Sequence, residues 1–197
     1  VVMLGWQDAA AYCNWLSDQE QRPRAYVEVA GQLALATPPT TGYRLPTEAE
    51  WEWTARHTGG GGSRRYPWGD AMPPPAGAGN FADRTAQGIV SNVLADYSDG
   101  HAVTAPVGSF SASPLGLFDL GGNAAEWASD RYTVYPSGVP LAVDPTGPAD
   151  GQYHVIRGSS WRHSGISELR LSFRDFGDSG RLDVGFRIAR TADDQER

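Results

Sequence analysis

The sequence predicts an α+β fold that is loop-rich, with short irregular strands and two flanking helices. Two stretches within the first 56 residues carry helical signatures, and the last third carries short apolar runs that read as strands. The 24 Gly and 14 Pro imply many loops, and seven Trp supply rings to pin them. A chain of 197 residues, 40% hydrophobic and 20% charged, is globular and of single-domain size.

Trp6, Ala10, Cys13 and Leu16 recur at helical spacing, with Tyr12 and Trp15 adding aromatic mass, so a helix is expected from Trp6 to Ser17. Cys13 is the sole cysteine and falls on the apolar face, where it acts as a small apolar residue. One cysteine excludes an intramolecular disulfide and any zinc site built on several thiolates. Residues 18–42 read as a connection with short extended pieces, including Ala25 to Val29, closed by Pro38-Pro39. A second helix lies within Arg44 to Arg56. Thr47 caps it, and Glu50, three residues on, completes a capping box. The acidic first turn suits the helix dipole, and the glutamates are expected on a solvated face, not in an acid–base cluster.

Gly59 to Gly62 forms a turn, and Tyr66-Pro67-Trp68-Gly69-Asp70 a second one anchored by rings. Residues 71–105 carry almost no periodicity, and a loop this long needs something to hold it. Bound metal is one answer; the loop offers Asn80 and Asp99-Gly100-His101. After Trp127 to Tyr132 comes a Pro/Gly-rich surface loop at 136–151. Strands are expected at Tyr153–Arg157, Leu169–Phe173 and Val184–Arg190, followed by a frayed polar tail at 191–197. The domain is thus placed at 1–190. There is no internal repeat.

A net charge of -7 argues against nucleic acid or an anionic membrane as partner, since phosphate binding needs a basic surface. No apolar run reaches the length of a membrane-spanning helix, so this segment is not expected to insert.

The most informative stretch is Gly116 to Trp127. Asp119 and Glu126 bracket a Gly-rich turn that can expose carbonyls on its inner side. Two carboxylates with inward carbonyls make an all-oxygen donor set, which suits calcium.

Taken together, the segments resemble the sulfatase-modifying-factor family, the formylglycine-generating-enzyme-like domains. The matching pieces stand in the family's order: Trp6–Ala9 with Ala11–Cys13, Tyr43–Glu52, Tyr66–Gly69, Ala105–Phe110, Gly122–Trp127, Val155–Trp161 and Gly185–Arg187. The resemblance covers nearly the whole chain and implies a variant of the C-type lectin-like fold, normally with an additional N-terminal stretch. It also implies two calcium sites. One uses the side chains of Asn80 and Asp99 with the carbonyls of Phe81 and His101. The other uses the side chains of Asp119 and Glu126 with the carbonyls of Gly122 and Ala124. One or two calcium ions are therefore expected. Calcium use points toward a periplasmic or extracellular setting.

The family's best-known activity oxidises a sulfatase cysteine to formylglycine with copper held by two thiolates, soft ligands that select the cuprous ion. Here His163 and Glu168 occupy the two cysteine positions, so no copper is expected. The resemblance also implies a structural disulfide to Cys13, which cannot form because Ile188 stands at the matching position. The family's sulfoxide-synthase branch holds iron with a His-x3-His helix, and His57, His101, His154 and His163 show no such spacing. The variable proteins of the same fold are rich in Asn and Tyr in this C-terminal region, whereas residues 159–183 contain neither. His163 and Glu168 could serve ferrous iron or zinc only with a third ligand.

Arginines crowd the last third, interleaved with Asp175, Asp178 and Asp183. They read either as an ion-pair network or as a groove for an extended peptide, with Trp161, Arg162, Arg170 and Arg174 on its face. The leading expectation is a non-catalytic peptide- or protein-binding or scaffold module of a larger protein. The alternative is an oxidoreductase with a non-thiolate metal, or with ligands from another domain. The sequence sets no oligomeric state.

Overall fold

The computed structural model describes residues 1–60, 62–135, 138 and 142–192. Helix α1 (Trp6–Gln19) begins where Asp8 Oδ2 accepts the Gly5 N–H at 2.9 Å. It buries Trp6, Ala9, Ala10, Cys13 and Ser17, the spacing of one helical face. Asn14 on that face bonds both the N–H and the C=O of Tyr26 and so fixes the next element against the helix. Strands β1 (Tyr26–Val29) and β2 (Gln32–Leu35) form an antiparallel hairpin. Its two-residue turn, Ala30-Gly31, has φ of 52° and 79°, the left-handed pair that matches strand twist.

Helix α2 (Glu48–Arg56) starts with the expected capping box. Thr47 Oγ accepts the Glu50 N–H at 3.2 Å, and Glu50 Oε2 accepts the Thr47 N–H at 2.8 Å. A four-stranded sheet follows from β3 (Ala125–Arg131), β4 (His154–Arg157), β5 (Arg174–Gly177) and β6 (Val184–Phe186), in the spatial order β5-β4-β3-β6. Only the β3–β6 pair is parallel. The central strands are buried along nearly their whole length. One core cluster joins α1, the hairpin and this sheet through Trp6, Cys13, Tyr26, Leu45, Trp127 and Ile156. A second gathers Trp51, Ala55, Leu120 and Leu171. A third, Tyr66, Phe81, Tyr97 and Leu169, pins the aperiodic 71–105 segment with rings.

The structure corrects several expectations. Residues 169–173 are turns, and the third strand of the sheet begins at Arg174. The strand expected over 184–190 ends at Phe186, with only an isolated bridge from Ala189 to Arg44 beyond it. The central strand β3 was not foreseen. Glu48 is not solvated: it is 3% exposed and accepts from two guanidiniums and a phenol. The tail expected at 191–197 lies, beyond residue 192, outside the described residues, as does part of the 136–151 loop.

Candidate metal cages and the C-terminal face

Asn80, Phe81, Asp99 and His101 come together in the 71–105 segment. The Asp99 carboxylate binds both flanks of the group: Oδ2 accepts the Phe81 N–H at 2.9 Å and Oδ1 the His101 N–H at 2.8 Å. Asp83, fully buried, accepts the Asp99 N–H and holds that residue from behind. Burial pushes the Asp99 carboxyl above the usual carboxylate range. Asn80 is completely buried, and its amide nitrogen donates to the Val103 carbonyl at 2.7 Å. Its Oδ1 has no partner among the described residues. Phe81 is likewise 0% exposed, and its carbonyl accepts no hydrogen bond there. Two buried oxygens without protein partners among the described residues, beside a half-buried carboxylate, call for a bound water or a cation.

The second predicted set lies on the turn entering β3. Asp119, Gly122 and Asn123 adopt φ of 55°, 86° and 63°, and these left-handed residues fold the chain back tightly. A Cβ on Gly122 would sit 2.6 Å from the Asn80 carbonyl oxygen, so this turn packs directly against Asn80. Asp119, Ala124 and Glu126 line a cavity of about 500 Å3 together with Arg187. The Arg187 guanidinium bonds both Glu126 oxygens at 2.6 Å, and Trp51 Nε1 donates to Oε2 at 2.7 Å. Glu126 therefore already has a counter-charge. Asp119 Oδ2 accepts the Gly108 N–H at 2.9 Å. Sequence reasoning did not find Arg187 here, because the parallel β3–β6 pairing that delivers it leaves no local signature.

His163 and Glu168 are not joined by an ion pair among the described residues. His163 Nδ1 accepts the Ser160 N–H at 3.1 Å, so the proton of the neutral ring sits on Nε2. Burial lowers its pKa, opposed by the nearby Glu168 charge. Glu168 Oε2 accepts the Gly165 N–H at 2.9 Å and stiffens its own turn. Among the described residues no three His, Cys, Asp or Glu side chains converge as a transition metal would require. The sole thiol, Cys13, is fully buried and its pKa is pushed up to about 12 by desolvation.

The predicted binding face divides. Trp161 is buried, with Arg162 over its ring at 5.6 Å, and Arg170 is exposed. Arg174 is spent on structure: it grips Glu48 through Nε at 2.6 Å and Nη2 at 2.9 Å, and it lies over Tyr135. Ser160, buried beneath this face, donates to Asp183, which Arg181 also holds.

The model of the sulfatase-modifying factor enzyme 1-like domain matches residues 1–192. The formylglycine-generating enzyme of Streptomyces coelicolor is 36% identical over 197 residues, covering 98% of this chain and 53% of that protein. The inactive C-alpha-formylglycine-generating enzyme 2 of Bos taurus is 30% identical over 197 residues, covering 96% of this chain and 49% of that protein. The chain thus spans about half the length of these curated relatives. Among solved structures, Treponema denticola variable protein 1 superimposes with a TM-score of 0.76 at 26% identity, over 95% of this chain and 69% of that one. No described helix is long and apolar enough to cross a membrane.

Proposed function

This chain belongs to the sulfatase-modifying factor enzyme 1-like family, and from that premise we propose that it is a calcium-stabilised, non-catalytic binding or scaffold module of a larger protein. Its fold is read as the C-type lectin-like variant of that family. The carrying observation is the thiol inventory. The one cysteine lies in the core of α1, and the two copper-thiolate positions hold a neutral imidazole and a turn-bound carboxylate. Two thiolates cannot be assembled from one, and soft-ligand capture of cuprous ion has no substitute here. A relative named as inactive supports the same reading.

Calcium fits the first cage best. Asn80 Oδ1, the Phe81 carbonyl and the Asp99 carboxylate are hard oxygens that lack full partners, and the His101 carbonyl completes the four protein donors. A bound calcium there would supply positive charge that ties Phe81 to His101 and so fixes the loop. The second cage, Asp119, Gly122, Ala124 and Glu126, would hold an ion less tightly, because Arg187 already shares the Glu126 charge. Peptide or protein recognition is assigned to the exposed part of the C-terminal face, around Arg162 and Arg170.

The test is to supply the protein with cuprous ion and a sulfatase-derived cysteine peptide. The expected result is no aldehyde detectable with a hydrazide probe. Formation of aldehyde at a rate that depends on His163 or Glu168 would replace this reading with the oxidoreductase one.

A further inference from the structure

A cavity of about 310 Å3 lies between the hairpin, the start of α1, the end of β3 and the 146–149 loop. Two polar groups converge on it. Arg131 and His154 are direct partners across the antiparallel β3–β4 ladder, so their side chains leave the sheet on one side. The Arg131 guanidinium makes no hydrogen bond or ion pair among the described residues. By contrast Arg44, Arg157, Arg174 and Arg187, which also reach into the fold, each hold a carboxylate. The ring nitrogens of His154 also have no partner there, although the residue is only 5% exposed. Its ring is stacked on the Trp6 indole, centroids 3.8 Å apart at 8°, which fixes its plane. Leu33, Leu35 and Pro148 give the cavity apolar walls.

We propose that this cavity is a binding site for a small organic monocarboxylate with an apolar body. Arg131 would meet one carboxylate oxygen and the His154 N–H another, while the leucine wall takes the rest of the ligand. The volume is at the lower end of ligand pockets, which limits the ligand to small molecules. One cation and a neutral imidazole match a single negative charge. A dianion is disfavoured, because the Asp130 carboxylate lies directly behind the loop: a Cβ on Gly147 would meet its Oδ1 at 2.9 Å. Burial, with Arg131 alongside, holds the His154 pKa down at about 3, so the imidazole stays neutral and adds no second positive charge.

The experiment follows the Trp6 indole N–H, which donates to the Ala128 carbonyl at 2.8 Å, by proton–nitrogen NMR. Benzoate, benzamide and inorganic phosphate are titrated in turn. Benzoate should shift the Trp6 signal saturably, and benzamide and phosphate should bind at least about tenfold more weakly, as loss of a charge-assisted contact implies. Arg131→Gln should lose at least about tenfold in benzoate affinity with the remaining indole signals unmoved, and Arg131→Lys should recover part of it. No saturable shift with benzoate, equal binding of benzamide or phosphate, or unchanged affinity in Arg131→Gln would each overturn the assignment.

Discussion

Replacing Glu48 by Ala should be among the most damaging single changes outside the hydrophobic core. Its side chain is 4% exposed and accepts four hydrogen bonds: from Arg157 Nη1 at 3.0 Å, Arg174 Nε at 2.6 Å and Nη2 at 2.9 Å, and the Tyr135 hydroxyl at 2.7 Å. Arg157 is completely buried, and without Glu48 it keeps, among the described residues, only Glu52 and the Leu171 carbonyl as hydrogen-bond partners, with its Nε unpartnered there. Removing one member of a buried charge group costs about 3–5 kcal/mol, because the remaining charges are left desolvated. In a domain of this size each kcal/mol lowers the melting temperature by roughly 2–4 °C, so a drop of roughly 6–20 °C is expected. Thermal unfolding followed by near-UV circular dichroism measures it. Arg24→Gln, which breaks a fully solvated pair with Asp18, is the control and should leave the melting temperature where it was. A Glu48→Ala variant that melts within a degree or two of the parent would show that water reaches the network, and would refute the buried-charge argument.

Three further outcomes follow from the same geometry. Cys13, fully buried with its thiol pushed up to about 12, should resist a thiol-reactive disulfide reagent in the folded protein and react fully in denaturant; fast labelling of the native state would contradict its placement. Asp99→Asn and Asn80→Ala should each weaken calcium binding and shrink the loss of melting temperature caused by a chelator, since a ligand bound only to the folded state stabilises by mass action; an unchanged chelator effect would move the ion elsewhere. His154 has a folded pKa lowered to about 3 from an ordinary 6.5, so the unfolded chain binds the extra proton: its contribution to stability is full above the unfolded value, declines as pH falls below it, and is gone below the folded one. Asp130, raised to about 6 by burial, works in the opposite direction over part of that range, so the contribution is best read as parent minus His154→Leu; a flat difference between pH 6.5 and 3 would contradict it.

The helices were legible because their signals are local. The α1 face and the Thr47–Glu50 box can be read within a dozen residues, and both stand in the structure. The sheet was less legible. Ala125 to Asp130 is buried at every position, so β3 shows no alternation to betray it. Leu169 and Leu171 are both buried at strand spacing, yet they sit in turns and fill different clusters, a false period of two. Glu48 looked like an ordinary first-turn acid because its partners, Arg157 and Arg174, lie 109 and 126 residues away. The cage residues were named from an oxygen-rich turn and a family resemblance. The sequence could not show that Asn80 Oδ1 and the Phe81 carbonyl would be buried without partners among the described residues, or that Arg187 would already hold Glu126.

Elemental mass spectrometry of protein purified without chelator tests the central claim most directly. The account predicts one calcium retained per chain after desalting, a second more easily lost, and copper, iron and zinc far below stoichiometry. Near-stoichiometric copper, iron or zinc, lost on changing His163 or Glu168 to Ala, would contradict it and make the C-terminal face a catalytic metal site.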